Sequence, residues 1–346
     1  MPKNPDRILR KLLLPLIALL CAPFLGATPG VAASALHFSF DRPIDGSAAP
    51  FILASGKGLF RAEGLTVTTD SATGSLDAIA RVASGNSDMA LADINALIRY
   101  RDKEGSLPIK AVFVLYNKAP YAIIARKSRG IATMSDIEGK TLGVVDGDLA
   151  ARLWPTIARR NHIKLDKIRT ERISAAVREP MLSAGQVDAV TGFSFLSAIN
   201  LRDRGVPAND LAVLRFSEFG GEVYGHALVV NPKFAAANPD AVKAFVRATI
   251  AGVRLAIKDP ARAADEVMTQ MSGGFRDLEL ERLRAVIHDN IVTDEVRRNG
   301  LGGIDSNRFD IGVGQIADTY EFRRRPSASD IFDDAFLPPV SARKIN

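Results

Sequence analysis

A helix-to-strand phrase is spelled twice in this 346-residue chain, once around Gly85 and once around Gly185. In the first copy an amphipathic stretch from Ser75 ends at Gly85, Asp88 follows three positions on, and the apolar run Met89 to Ala92 comes next. In the second, a stretch from Ala176 ends at Gly185, with Asp188 and then Ala189 to Phe193 in the same places. A glycine just past a helix adopts the left-handed cap conformation without the clash a Cβ would bring, so both copies read as helix, turn, buried strand. Repetition of that unit predicts two similar α/β lobes, and a two-lobed chain keeps its ligand chemistry in the cleft between them.

The remaining pattern agrees. Strands are expected at 36–40, 65–69, 89–92 and 110–116, separated by helices over 48–60, the Gly85 helix and 94–103. Tyr121 to Arg126 reads as a strand leaving the first lobe. A second series follows, with strands at 140–145, 167–173, 189–193 and 211–216 and helices between them, and Val223 to Val230 reads as a returning strand. Alternation of this kind predicts a mostly parallel sheet flanked by helices in each lobe. The expected fold is therefore α/β: two similar three-layer α/β lobes joined by two crossover strands, with additional C-terminal helices over 241–258, 261–271, 277–290 and 305–320. Lobe 1 takes residues 36–122 and 228–346, and lobe 2 takes 123–227. The apolar, proline-rich tail 332–339 is expected to dock on a surface groove rather than form an element.

Residues 1–35 stand apart. Arg7, Arg10 and Lys11 precede an apolar run from Leu12 to Leu25, and Ala33-Ser34-Ala35 supplies small residues for cleavage, which is the pattern of a secretory signal peptide. Pro15, Pro23 and a run shorter than the roughly 20 residues of a membrane span argue against a retained anchor. Cys21 is the only cysteine and lies in this segment, where lipid attachment is a further reading disfavoured by bulky Leu20. Removing the segment takes away four Lys/Arg and one Asp, so the formal charge falls from +6 to +3. That small excess, with no basic run longer than Arg323 to Arg325, gives no case for nucleic acid as a partner.

An exported start is followed by Ala54, Gly58, Phe60, Gly64-Leu65 and Val67 closing the first helix, then by Gly74-Ser75, the two repeated phrases, Gly139 to Val144, Asn238-Pro239-Asp240 and Asp259-Pro260. In the order and spacing of these motifs the chain resembles the periplasmic solute-binding proteins of ABC importers, in the nitrate, sulfonate, taurine and thiamine-precursor binding family. The resemblance implies the type II periplasmic binding protein fold, closing on a small solute by hinge motion and presenting the closed form to an inner-membrane permease. It further implies a periplasmic protein, cleaved near Ala35, working as a monomer without a cofactor. The same scaffold also includes a pyrimidine synthase with a cysteine-rich motif, which a chain lacking cysteine beyond Cys21 does not have. An exported sensor domain acting with a membrane receptor is the other alternative.

In open α/β sheets ligands sit beyond the carboxyl ends of the strands. That rule selects Asp41, Ser47, Gly74, Ser75, Asp93 and Asn117 in the first lobe. In the second it selects Asp146, Asp148 and Phe193, and near the returning crossing Glu222 and Tyr224. Ser75 and Asp148 also stand at helix starts, where capping is their ordinary role. His226 reads as a satisfied buried histidine, and Trp154 as packing. The candidate carboxylates outnumber Arg42, the only cation among these loops, so the pocket is expected to be acidic and to suit amine or ring N–H donors. No nucleophile elbow, zinc-protease or phosphate-loop motif is present, and the four histidines lack metal-ligand spacing, so neither a catalytic nor a metal site is expected. Gly312 to Ala317 imitates a dinucleotide fingerprint but falls inside an expected helix.

Overall fold

The computed structural model describes residues 33–345. The signal-like segment therefore falls, up to residue 32, outside the described residues.

The chain opens with β1 (Ser34–Phe40), a short 3-10 turn, α1 (Ala49–Gly56), α2 (Leu59–Ala62) and β2 (Leu65–Ser71). Then come α3 (Ser75–Ser84), β3 (Met89–Asp93), α4 (Ile94–Arg101) and β4 (Lys110–Val114). After a crossing, β5 (Tyr121–Arg126), β6 (Thr141–Val145), α5 (Leu149–Arg160), β7 (Arg169–Ile173), α6 (Arg178–Ala184), β8 (Ala189–Phe193), α7 (Ser194–Asp203) and β9 (Leu211–Arg215) follow. A second crossing leads back to β10 (His226–Val230). The C-terminal part is helical: α8 (Pro232–Ala237), α9 (Pro239–Lys258), α10 (Pro260–Met268), α11 (Arg276–Val286), α12 (Asp294–Asn299), α13 (Ser306–Ala317) and α14 (Ala328–Ile331).

The strands form two five-stranded sheets, ordered β2-β1-β3-β10-β4 and β7-β6-β8-β5-β9. The two orders are the same pattern, with β10 and β5 each inserted antiparallel between the third and fourth strands of its sheet. The sheets are thus mixed rather than nearly all parallel, because each receives the strand that arrives from the other. The repeated phrase occupies equivalent positions: Gly85 (φ 81°) and Gly185 (φ 75°) both end their helices in the left-handed region, and Asp88 and Asp188 precede β3 and β8.

Several expected bounds shift, the lobe limits among them: β5 joins the second sheet from Tyr121 and β10 joins the first from His226, against the expected limits at 122/123 and 227/228. Val223 to Gly225 is not strand: Gly225 lies so close to Ala119 and Tyr116 that a Cβ would meet the Tyr116 Cβ at 2.9 Å, and its N–H donates to Tyr116 O. The expected 277–290 helix ends at Val286 and continues as a π-turn over Ile287–Ile291. The tail does form structure: Phe332 bridges Ala111 on β4, and Asp333 N donates to Ala111 O. β1 starts at Ser34, so a cut after Ala35 falls within its first residues. Trp154 packs on Phe216, as its mid-helix place suggested, and Gly312 to Ala317 lies inside α13. No described helix is long and apolar enough to cross a membrane.

Candidate functional site

Each sheet ends in the same way on its facing edge. In the first, Asp93 at the end of β3 is in register with His226 at the start of β10. In the second, Phe193 at the end of β8 is in register with Tyr121 at the start of β5. Contacts then cross between the sheets. The Tyr121 hydroxyl donates to Asp93 Oδ2 at 2.6 Å, and the His226 ring meets Phe193 edge to face at 5.6 Å. Tyr121 also stacks on Phe193 at 5.8 Å. Asp93, Tyr121 and His226 are all at most 2% exposed, so the side chains themselves fill this part of the interface.

Asp41, the first residue after β1, organises the lobe 1 side. Its carboxylate accepts from Arg42 Nε at 3.0 Å, Arg42 Nη2 at 2.9 Å and the Ser75 hydroxyl at 2.9 Å, and lies 2.8 Å from His226 Nε2. Burial alone would raise this carboxyl, but the adjacent Arg42 and His226 outweigh it and hold it far below the usual carboxylate range. Arg42, pinned from one side by Asp41, lays its guanidinium 5.2 Å from the Phe193 ring centre and 5.6 Å from that of Phe195. Among the described residues, Arg42 Nη1 and His226 Nδ1 are buried without a partner. His226 is therefore buried as expected, with a partner at Nε2 but not at Nδ1.

Ser75 does not cap its helix. Gly74, at φ 107°, holds the cap position, and the Ser75 hydroxyl instead links Asp41 to the Asp93 N–H, which donates to it at 3.0 Å. Asp93 caps α4 through Asn95 N at 2.8 Å, while Asn95 Nδ2 reaches the Tyr121 hydroxyl and Tyr224 O. Burial pushes the Asp93 carboxyl up, offset only in part by His226 and by bonds from Tyr121 and Asn95. Burial and the neighbouring Asp93 likewise push the Tyr121 phenol well up.

A pH effect follows from the Asp93 shift. With its folded value raised, the native state binds more protons than the unfolded chain between the ordinary aspartate range and that raised value, so Asp93 lowers stability as pH rises through this window. Asp93→Asn should remove that slope and leave a flatter stability profile in mildly acidic solution. Unfolding of parent and variant followed from neutral pH down through mild acid checks this; equal slopes would refute the shift.

On lobe 2, Asp148 does cap α5, accepting from Ala150 N at 2.9 Å, and its other oxygen takes Arg178 Nη1 at 3.1 Å. Burial raises Asp148, partly offset by Arg178. Asp146 stands in solvent, paired with exposed Arg172. Ser47 is buried and turned onto Asp45. Asn117, Glu222 and Tyr224 are brought together, but elsewhere: they converge on Glu295 of α12 and Arg308 of α13. Asn117 Nδ2 donates to Glu295 Oε1 at 2.9 Å, as the Tyr224 hydroxyl does at 2.8 Å. Arg308 bonds Asn117 and Glu295, lies over the Tyr224 ring and pairs with Glu222. Asn117 belongs to the first crossing and Glu222 and Tyr224 to the second, so this network ties both crossings to the C-terminal helices.

The expected acidic pocket is corrected by these pairings. Asp41, Asp146, Asp148 and Glu222 face Arg42, Arg172, Arg178 and Arg308, leaving Asp93 alone of the five without an arginine partner among the described residues. Tyr116, Tyr121, Arg178 and Phe195 were not marked by sequence. Tyr121 had one usable signal: a polar-tipped aromatic opening a strand that pairs with the end of the repeat.

A family model described as NMT1/THI5 like matches residues 46–263, more than half of the chain. The chain belongs to this family. Among relatives of this NMT1/THI5-like protein, the riboflavin-binding protein RibY of Chloroflexus aurantiacus is 26% identical over 224 residues, 63% of this chain and 61% of that one. This chain thus spans about three fifths of RibY's length. The 4-amino-5-hydroxymethyl-2-methylpyrimidine phosphate synthase of Schizosaccharomyces pombe is 26% identical over 273 residues, 73% of this chain and 78% of that one. Among solved structures, the periplasmic aliphatic sulphonate binding protein SsuA of Escherichia coli superposes with a TM-score of 0.68 at 12% identity, covering 86% of this chain and 91% of SsuA. That likeness establishes the type II periplasmic binding protein fold, expected above, for this NMT1/THI5-like chain.

Proposed function

We propose that the protein is the solute-binding component of an ABC import system. In this reading it is exported to the periplasm, captures a small polar organic solute of sulfonate, amine or pyrimidine type by lobe closure, and delivers it to a membrane permease. The observation that carries the reading is the crossed set of contacts Asp93 to Tyr121 and His226 to Phe193. A carboxylate, a phenol, an imidazole and a phenyl ring, two from each sheet, meet where paired strand ends face each other. Opening at the crossings would separate these pairs and expose a carboxylate, a phenol, an imidazole and an aromatic face to a solute. Reclosure would then exchange contacts between the lobes for contacts with the ligand.

The resemblance of residues 1–35 to a signal peptide supports export, and the likeness to periplasmic binding proteins supports the compartment. The deciding measurement is a thermal-shift screen of the protein from Ser34 onward against sulfonates, amines, pyrimidines, riboflavin and aromatic acids. A true ligand at about a hundred times its dissociation constant should add about 2.7 kcal/mol. Phe193→Ala should then weaken the identified solute roughly tenfold, a loss of about 1.4 kcal/mol. If nothing in the panel stabilises the protein, or if the Phe193 variant binds as the parent does, this placement of the cleft fails.

A synthase reading is favoured by the identity with the yeast enzyme and by buried His226 beside Asp41. The single cysteine, Cys21, counts against a cysteine-dependent version of it. A carrier releases its solute chemically unchanged when the complex is denatured, whereas mass spectrometry of an enzyme's incubation would find it altered.

A further inference from the structure

Away from the cleft, a cavity of about 350 Å³ opens between the end of α4 and the segment from Arg323 to Ile331. Three arginines line it, Arg101, Arg323 and Arg324, with Asp102 and Asp330. The two carboxylates are already spent. Asp102 accepts from the backbone N–H groups of Arg323 and Arg324 and from the Tyr320 hydroxyl. Asp330 accepts from Ser327 N and Oγ on one oxygen and from Arg324 Nη2 on the other.

The donors are not spent. Arg101 gives one nitrogen to Leu107 O, while among the described residues its Nε has no partner. The Arg323 side chain pairs with Glu104, exposed on both sides, which contributes little and exchanges readily. The Arg324 side chain, bonded to Asp330, is 81% exposed. Arg99 lies over the Tyr320 ring at 4.7 Å, and among the described residues its Nε too has no partner. The cavity therefore has saturated acceptors and unsaturated donors, all of them guanidinium groups, whose planar forks match the oxygens of phosphoryl groups.

We infer that this cavity is a second binding site, for a small polyanion bearing phosphoryl groups. Backbone bonds to Asp102 fix the chain at Arg323 and Arg324, so the two side chains are presented on an anchored loop opposite Arg101. The anion bonds the exposed Arg324 guanidinium and replaces Glu104 at Arg323, with Arg101 facing it across the cavity. The same chemistry is offered by a free phosphate ester and by an anionic lipid headgroup.

The experiment is calorimetric titration of the protein with inorganic pyrophosphate, beside flotation with vesicles containing phosphatidic acid, each at low and raised salt. Parent protein is expected to bind at least one of the two probes, more weakly as salt rises. Binding to pyrophosphate assigns the site to a free anion, and binding to vesicles alone assigns it to a headgroup. Arg323→Gln/Arg324→Gln, both surface changes that leave the core intact, should weaken that binding about tenfold or more, and Arg101→Gln should do the same. The double variant should keep the cleft solute's thermal shift. The inference is overturned if the parent binds neither probe at millimolar concentration, or if the double variant binds as tightly as the parent.

Discussion

Replacing Asp41 with alanine is expected to cost the folded protein about 3–5 kcal/mol, the range found when one partner of a buried charge pair is removed. The carboxylate is 3% exposed and is the shared acceptor for Arg42 and Ser75, with His226 Nε2 also within 2.8 Å. Its removal leaves a guanidinium already short of one partner lodged against Phe193 and Phe195. It also frees the Ser75 hydroxyl that holds the Asp93 N–H. Chemical denaturation of parent, Asp41→Ala, Arg42→Ala and the double variant at neutral pH measures the loss. The double variant should lose less than the two singles together, because the second change no longer strands a charge. The pH sign is equally specific. Because the folded carboxyl is depressed, its stabilisation is fully present above the ordinary aspartate range and fades progressively as pH falls through that range and below it. Parent and Asp41→Ala should therefore differ most near neutrality and converge in strong acid. Single variants whose losses simply add, or a difference that is unchanged in acid, would contradict the ion-pair account.

Arg282→Leu should have an effect of similar size, about 3–5 kcal/mol, through a different element. Arg282 on α11 is 6% exposed. It bonds Glu279 twice, at 3.0 and 3.3 Å, and reaches into lobe 2 to Phe195 O and Asn200 Oδ1, both at 3.3 Å. Glu279 in turn accepts from Gly46 N at 2.6 Å in the turn after β1. One ion pair thus joins the start of α1 on one lobe to α7 on the other. Arg215 of β9 adds a parallel tie to Asp289 at 2.8 Å. Losing Arg282 leaves the Glu279 charge buried and the Phe195 carbonyl without this donor, and it releases a contact that opposes opening. The expected results are a lower unfolding midpoint and, by small-angle scattering, a larger radius of gyration for the unliganded protein. Arg282→Leu/Glu279→Leu should recover part of the stability but not the compactness. A single variant with the parent's dimensions would show that α11 packs beside the lobes without restraining them.

Local pattern carried the two-lobe architecture because the needed signals lie within a few residues of one another. A left-handed glycine cap, a turn aspartate and a buried strand are all read between Gly85 and Asp93, or between Gly185 and Phe193. The same span led to Asp93 and Phe193, whose equivalent positions at strand ends follow from the period of the repeat. Asn117, Glu222 and Tyr224 were selected by the same strand-end logic and turned out to brace the crossings, because the residues that claim them, Glu295 and Arg308, lie 70 or more positions further on (a range in which sequence pattern carries little pairing information). The expected acidic pocket failed because three of the arginines that neutralise it come from β7, α6 and α13, 26, 30 and 86 positions from the carboxylates they meet, and such pairings have no local signature; only Arg42 stands beside its partner. Val223 to Gly225 read as strand since its apolar pattern is correct, yet the backbone must turn there to meet the first crossing.

What the sequence alone determined, then, is the α/β class, the duplication and the strand ends at Asp93 and Phe193, which meet side chains of the opposite sheet, since propensity, capping and burial period act between near neighbours. The tertiary structure decided which charges are spent and which remain available. Asp41 is consumed by Arg42 and His226, Asp93 is shared with a tyrosine from the other sheet, and Arg101 keeps an unpaired nitrogen beside a cavity. Those outcomes depend on which distant side chain arrives within about 3 Å, the range over which a hydrogen bond forms, and only the folded chain fixes that distance.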